Sequence, residues 1–262
     1  MRKWDLAGIN PAPVRKKSGE GLAPAVESSA HMRQKLAEEG RPVLVAFSRG
    51  KDSIAAMIAL MAAGVEVIPV HLWRVPGLRF EEESLKKFEE FFGMEILNLP
   101  HRDFWNHLEE QVHTAPWMAS IYEAGGITTI KFPEFWAMVR ESLGLDDDTW
   151  VCDGVRAADS PMRRLAMVTH GPWTSKIEKI DGEPFKTRIA HVVWDWKIAD
   201  IRRCIAKNDV ELPIDYDLFG RTFDGLDYRF IKPISEKLPD DFELIRRWFP
   251  GVDLEMMRYE HL

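Results

Sequence analysis

The chain predicts an α/β fold, in which helices cover both faces of a Rossmann-like parallel sheet. Short apolar segments alternate with longer segments of helical character, and Gly64, Gly93 and Gly144 each stand where such a segment should end. Apolar strands separated by helices are typical of parallel sheets buried on both faces. Glycine commonly follows the last residue of a helix. The alternation and the glycines therefore predict the same architecture.

The predicted elements follow in order along the chain. A first helix covers residues 28–40 and ends on a glycine. Strands are predicted at 43–47, 65–72, 94–99 and 150–152, and helices at 53–63, 80–92, 104–110 and 133–143. Residues 1–27 are rich in Pro, Gly, Lys and Ala and have no clear periodicity, which predicts a flexible N-terminal arm. This leaves an α/β domain at 28–235 and a C-terminal extension at 236–262.

Composition limits the class of protein. The 262 residues include 45% hydrophobic and 29% charged residues, which is ordinary for a globular protein. No apolar run approaches the ~20 residues of a membrane helix, and the N-terminus lacks the apolar core of a secretory signal. The two cysteines, Cys152 and Cys204, fit a cytoplasmic protein without a disulfide framework. The net charge of −7 disfavours sequence-independent nucleic-acid binding, although a local basic patch leaves such a partner open.

Residues 43–53 form the most informative segment. An apolar strand runs into a polar turn and then directly into a helix, so that backbone N–H groups and the Lys51 ammonium point to one place, which suits phosphate. A Walker A loop would need glycine at Val45 and a hydroxyl residue at Asp52, and no Gly-x-Gly-x-x-Gly follows this strand. The remaining pattern runs from Ser48 to Ser53 and reads Ser-Arg-Gly-Lys-Asp-Ser. The alternative is an ordinary strand–turn–helix corner with a solvated Lys-Asp pair.

A second polar segment follows the fourth strand. Its members can bind anions or shape a helix start, and they are Gly154, Arg156, Asp159, Ser160 and Arg163. Arginine suits bidentate recognition of phosphate, sulfate or carboxylate. The alternative is a loop leading into a helix, with Ser160 or Asp159 as N-cap and proline after it. Ligands of such sheets bind beyond the carboxyl ends of the strands, where both segments are expected.

The first segment resembles the PP-loop of the adenine nucleotide alpha hydrolase superfamily, and the second resembles a signature of its phosphoadenosine phosphosulfate (PAPS) reductase relatives, Gly-x-Arg-x-x-Glu/Asp-Ser-x-x-Arg. A looser similarity covers Trp196 and Asp200. PP-loops usually carry glycine where this chain has Arg49, so either the loop is reshaped or Arg49 adds a cation to the phosphate site.

The resemblance implies an adenine nucleotide ligand, ATP or PAPS, together with Mg²⁺. It assigns phosphate binding to Ser48, Arg49, Gly50, Lys51, Asp52, Ser53, Gly154 and Arg156, and catalysis to Lys51, Asp52 and Arg156. The residues expected to bind the acceptor or its anion are Asp159, Ser160, Arg163 and Arg221. No histidine spacing indicates a protein metal site, and His71, His101 and His107 are expected to be structural, with a place in the lining of the adenosine pocket as the alternative for His71. The segment 220–230, which holds Arg221, has a surface hairpin as its alternative.

One departure bears on the chemistry. The reductases attack with a C-terminal cysteine, and no cysteine follows Cys204 in this chain. Both cysteines are expected to be structural, so thiol-dependent reduction is disfavoured. The resemblance then implies cleavage of the α–β bond of ATP to adenylate an unidentified acceptor. Two alternatives stay open, a sulfonucleotide enzyme that uses a partner's thiol and a non-catalytic nucleotide-binding protein. A homo-oligomer or a partner protein is also left open.

Overall fold

The computed structural model describes residues 2–15 and 26–260. The chain forms two compact units, Met1–Val70 with Trp136–Glu211 and His71–Phe135 with Leu212–Leu262. The sequence-based division at residues 28 and 236 stays a prediction. Part of the predicted N-terminal arm lies outside the described residues. Within the described part of the chain, no helix is long and apolar enough to span a membrane.

In the part of the chain that the structure describes, the central sheet has six strands in the order β3-β2-β1-β4-β6-β5. β1 pairs in parallel with β2 and β4, β4 pairs in parallel with β6, and β5 is antiparallel to β6. The strands are β1 Val43–Ala46, β2 Val67–Trp73, β3 Leu97–Pro100, β4 Val151–Asp153, β5 Trp173–Ile180 and β6 Glu183–His191. The mostly parallel sheet with its helices confirms the predicted α/β class.

The helices cover most of the remaining chain. They are α1 Ser29–Glu39, α2 Lys51–Ala62, α3 Arg79–Phe92, α4 Arg102–Glu109, a 3₁₀ turn Pro116–Met118, α5 Ala119–Gly125, α6 Phe132–Ser142, α7 Pro161–His170, α8 Ile198–Lys207, α9 Asp215–Phe219, α10 Tyr228–Lys237, α11 Pro239–Trp248 and α12 Val252–Glu260. All nine predicted strands and helices exist with shifted ends, the largest shift being at β3, which begins at Leu97 rather than residue 94.

β1 and α2 form the corner that the sequence singled out. Val43, Leu44 and Val45 are buried, as expected of a strand covered on both faces. α2 is buried along Ser53–Leu60 because it packs against β1, β4 and α8. It begins two residues earlier than predicted, because Gly50 already occupies the N-cap position. The corner is therefore set in the core of the first unit.

The β5–β6 hairpin is absent from the sequence-based prediction. Its turn is Asp181-Gly182, and both residues have positive φ, 52° and 92°, as a two-residue type I′ turn requires. Asp-Gly between strands is a strong local signal for such a hairpin, so this element could have been found. The alternative hairpin at residues 220–230 is wrong, because α10 begins at Tyr228 with the Asp227 side chain as its N-cap.

Aromatic residues contribute to packing in both units. Trp194 and Trp196 are fully buried in the first unit. The second unit has a core in which phenylalanine rings meet edge to face, for example Phe80 with Phe223 and Phe104 with Phe249. Residues near the N-terminus dock on the end of α8, where the Arg2 guanidinium donates to the Asn208 carbonyl at 2.6 Å.

Candidate functional site

The loop between β1 and α2 is closed by its own hydroxyl groups. The Ser53 hydroxyl donates to the Gly50 carbonyl at 2.9 Å and accepts hydrogen bonds at 3.2 Å from the backbone N–H and the hydroxyl of Ser48. Ser53 is buried, so its bond to Gly50 is protected from water, whereas the two bonds from Ser48 are partly buried. Among the described residues no side chain caps the start of α2 at Gly50. Ser48 and Ser53 therefore shape the turn that precedes an uncapped helix start.

Arg49 takes the backbone conformation that glycine usually takes. Its φ is 61°, in the left-handed region that costs an L-residue about 1 kcal/mol. Its side chain has no solvent exposure and lies in the protein interior. The loop thus keeps a glycine-type backbone despite the arginine. A contact between Arg49 and phosphate stays a prediction.

Gly154 brings the two predicted segments into direct contact. A Cβ atom at this position would lie 2.5 Å from the backbone carbon and oxygen of Asp52 and 2.8 Å from the backbone nitrogen of Ser53. Such distances are below van der Waals contact, so only glycine fits without a shift of the backbone. The segment after β4 therefore lies against the first turn of α2.

Side chains of the two segments form an alternating row of charges, which we call the charge chain: Lys51, Asp52, Arg156, Asp159 and Arg163. Lys51 Nζ lies 2.7 Å from Asp52 Oδ2, and Arg156 Nε lies 3.0 Å from Asp52 Oδ1. Arg156 Nη2 lies 2.6 Å from Asp159 Oδ1, and Arg163 Nη1 lies 3.1 Å from Asp159 Oδ2. The Asp52–Arg156 contact is an ion pair without hydrogen-bond alignment.

The charge chain contains three cations and two carboxylates, so it carries one net positive charge. Arg156 is 5% exposed and bridges both carboxylates, whereas the Arg163 side chain is 52% exposed at the end of the row. Buried ion pairs require good geometry to offset their desolvation. The row therefore orients Arg156 firmly and places the Lys51 and Arg156 side chains beside Asp52 in the first turn of α2, where the helix start favours an anion.

The start of α7 matches the helix-start interpretation of the second segment. The Ser160 side chain accepts a hydrogen bond from the Arg163 backbone N–H at 3.1 Å, and Pro161 occupies the first helical position. Ser160 is therefore the N-cap. Asp159 instead accepts from the Arg156 backbone N–H at 3.0 Å. These contacts leave a role in anion binding open for Ser160 and Asp159.

Arg221 belongs to the second compact unit. Its guanidinium lies 2.6 Å from Asp224 Oδ2, and Asp224 also contacts Arg74 at 3.1 Å. Arg221 is therefore held by a salt bridge within its own segment. The role of Arg221 toward an acceptor stays a prediction.

A histidine–carboxylate pair at the carboxyl ends of two strands was not predicted from the sequence. His191 Nδ1 lies 2.7 Å from Asp153 Oδ1, and the Val155 backbone N–H donates to the same oxygen at 3.0 Å. Asp153 and His191 are partners at the carboxyl ends of the parallel strands β4 and β6. Both side chains are partly exposed, 21% each. Asp153 directly precedes the residues that were predicted for the site. His191 contacts Asp153 only because β6 pairs with β4, and β6 was not predicted.

Neither cysteine resembles a nucleophile. Cys152 and Cys204 are fully buried. Burial raises the pKa of the Cys152 thiol well above its usual value and raises the pKa of Cys204 to about 12. A thiol with a raised pKa is a poor nucleophile because the reactive species is the thiolate. The expected structural roles of both cysteines are confirmed.

His101 and His71 are buried in the second unit. His101 caps α4, since its Nδ1 accepts from the Asp103 backbone N–H at 3.0 Å, and His71 lies 3.8 Å from Glu81. Burial, followed by the positive charge of Arg74, lowers the pKa of His101 to about 4. This side chain is therefore neutral near pH 7 and acts as a structural acceptor.

The lowered pKa of His101 predicts acid sensitivity. The pKa of a histidine in the unfolded chain is about 6.5. The stability that neutral His101 contributes is therefore present above that pH and is lost as the pH falls toward its folded pKa of about 4. We expect His101→Asn, which keeps an N-cap but does not titrate, to reduce this loss by the order of 2 kcal/mol. Urea unfolding at pH 7 and pH 4.5 measures it. Equal pH dependence in both proteins would contradict the assignment.

Comparisons with known proteins give low similarities. No family model matches the chain. An uncharacterized protein of Methanocaldococcus jannaschii is 37% identical over 73 residues, which is 27% of this chain, and the chain spans 15% of that relative. FMN adenylyltransferase of Candida glabrata aligns with 73% of this chain and 58% of its own length, at a TM-score of 0.45 and 9% identity. PAPS reductase of Candida auris, in a phosphate complex, aligns with 76% of this chain and 88% of its own, at 0.44 and 14%.

Proposed function

We propose that the protein binds ATP at the β1–α2 loop and transfers its adenylyl group to an acceptor, with release of pyrophosphate. The observation that carries the proposal is the close approach of the loop and the charge chain at Gly154, where a helix start that no described side chain caps lies beside the cations of Lys51 and Arg156. Helix starts and oriented backbone N–H groups favour phosphate. The resemblance of both segments to nucleotide-binding signatures supports the choice of adenine nucleotide.

In this proposal an acceptor oxygen attacks the α-phosphorus, the bond between that phosphorus and the bridging oxygen breaks, and pyrophosphate leaves. Negative charge then grows on the leaving group. Lys51 and Arg156 would stabilise this charge, and Asp52, which contacts both of them, would hold the two cations in place. The pair of His191 and Asp153 at the same edge of the sheet would accept a proton if the acceptor is an alcohol or amine.

Mg²⁺ fits this site only with the nucleotide. Among the described residues no group of three or more His, Cys, Asp or Glu side chains could hold a metal ion. Mg²⁺ is commonly held by one or two carboxylates together with phosphate oxygens and water. Asp52 is the carboxylate of the loop, and a bound Mg²⁺ would neutralise charge on the phosphates.

The reaction is tested with α-labelled ATP and Mg²⁺. Labelled AMP or an adenylated adduct, with release of pyrophosphate, is the expected product. Labelled ADP would overturn the proposal, because it would show cleavage of the β–γ bond instead. In a parallel experiment PAPS competes with ATP. Sulfite release from PAPS with an added thiol would favour the sulfonucleotide alternative, and binding without any product would favour a non-catalytic role.

Lys51→Ala is expected to weaken ATP binding by about 10- to 100-fold, because a hydrogen bond to a charged group is worth about 1.5–3 kcal/mol. The free energy of unfolding should change little, since Lys51 is partly exposed. Titration calorimetry measures the affinity. Lys35→Ala is the matched control, because it also removes a partly exposed lysine paired with a carboxylate, at 2.6 Å from Glu27. Equal affinities of the two variants would contradict the assigned loop.

A further inference from the structure

Among the strands of residues 2–15 and 26–260, β5 is the last of the sheet and has one hydrogen-bonded neighbour, β6. In a two-residue hairpin the residues next to the turn, here Ile180 and Glu183, form a hydrogen-bonded pair, and the pairs alternate from there. The backbone groups of Ser175, Ile177 and Lys179 therefore point away from β6. Among residues 2–15 and 26–260, none makes a backbone hydrogen bond to these groups.

The same edge exposes an apolar side chain. Ile177 is 70% exposed at the middle of β5. Natural proteins usually protect edge strands, because an open edge pairs readily with another chain. β5 carries Lys176 on one side of this isoleucine and Glu178 on the other, so opposite charges flank Ile177 along the strand. A strand of this pattern is complementary to itself in the antiparallel direction.

We propose that a second copy of this chain pairs with β5 in the antiparallel direction, with the two-fold axis at Ile177. Ile177 then lies opposite Ile177 of the partner subunit. Lys176 lies opposite Glu178 of the partner subunit, and the symmetry repeats this ion pair. The outward backbone groups of Ser175 and Lys179 meet in the same register, so the hydrogen-bonded and charged pairs agree.

Charge selects this register over its neighbours. Only registers in which outward-pointing residues of the two strands lie opposite each other keep the backbone hydrogen bonds. Of these, the two registers next to the proposed one place Lys176 opposite Lys176 of the partner subunit, or Glu178 opposite Glu178 of the partner subunit. Like charges directly opposite each other destabilise a strand pair, whereas opposite charges stabilise it by about 0.2–1 kcal/mol. A second copy is therefore a better occupant of this edge than an unrelated strand. Because an edge contact is small, the dimer is expected to be reversible and concentration-dependent.

A charge exchange tests the register. Lys176→Glu and Glu178→Lys each place like charges opposite each other twice, so each should weaken dimerisation by at least about 10-fold. The double variant, Lys176→Glu with Glu178→Lys, restores both ion pairs and should recover the dimer. Sedimentation velocity of the full chain over a wide concentration range measures the equilibrium. Lys86→Glu, which reverses an exposed lysine on α3, is the control and should leave it unchanged.

Glu178 also accepts a hydrogen bond from the Thr187 hydroxyl at 2.5 Å, so its replacement could affect folding. Ile177→Lys avoids this contact and places two lysines at the axis, and it should also give monomers. A wild-type chain that stays monomeric at all concentrations would overturn the proposal. A dimer that persists in both single variants, Lys176→Glu and Ile177→Lys, would also overturn the proposal. These measurements use no nucleotide, so their outcome is separate from that of the adenylyl-transfer assay.

Discussion

Gly154→Ala should lower the free energy of unfolding by about 3 kcal/mol and weaken ATP binding by at least about 10-fold. The new methyl group would lie 2.5 Å from the backbone carbon and oxygen of Asp52. Overpacking commonly costs about 1–3 kcal/mol, and the upper end applies here because the obstacle is backbone rather than a flexible side chain. Relief of the clash would displace the start of α2, which is the proposed phosphate site.

Urea unfolding and titration calorimetry measure the two effects of Gly154→Ala. Gly125→Ala is the matched control, because the nearest atom to its new Cβ is Ile127 Cγ1 at an ordinary 3.9 Å. Gly125 ends α5, where alanine is tolerated at least as well as glycine, so this variant should be neutral or slightly more stable. If the two variants behave alike, the close approach of the two segments is wrong.

Arg156→Ala is expected to cost about 3 kcal/mol of folding free energy and to remove most of the ATP affinity. It deletes the cation that bridges Asp52 and Asp159 and leaves two carboxylates facing each other. Removal of one partner from a buried ion pair commonly costs about 3–5 kcal/mol, and the partial exposure of both carboxylates reduces that figure. The proposed leaving-group contact is lost at the same time.

Arg163→Ala provides the comparison for stability. Arg163 contacts Asp159 at 3.1 Å from the exposed end of the charge chain, so its removal should cost less than about 1 kcal/mol. Adding Asp52→Asn to Arg156→Ala should recover part of the stability, because it removes the repulsion between the two carboxylates that Arg156 had bridged. Equal unfolding free energies for the two single arginine variants would show that Arg156 does not link the carboxylates.

Local patterns account for the parts of the fold that the sequence predicted. The buried residues Val43–Val45 followed by a polar turn define β1 and the start of α2 without distant contacts. Ser160 and Pro161 likewise mark the start of α7 within a few residues. These elements depend on backbone preferences and capping, which short segments carry.

Other features depend on contacts between distant parts of the chain. Asp52 contacts Arg156 because β1 pairs with β4, and no spacing along the chain predicts this 3.0 Å contact. The need for glycine at Gly154 arises from a backbone roughly a hundred residues away in sequence, which becomes visible only after folding. His191 contacts Asp153 only because β6 pairs with β4, and the sequence analysis did not predict β6.

At Arg49 the backbone conformation and the side-chain volume favour different residue types. Its φ of 61° favours glycine, while its enclosed side chain fills interior volume that glycine would leave empty. A single replacement therefore relieves backbone strain only by opening a void, or keeps the volume and retains the strain. Evolutionary change at Arg49 should accordingly be epistatic, with compensating substitutions among the side chains that enclose it.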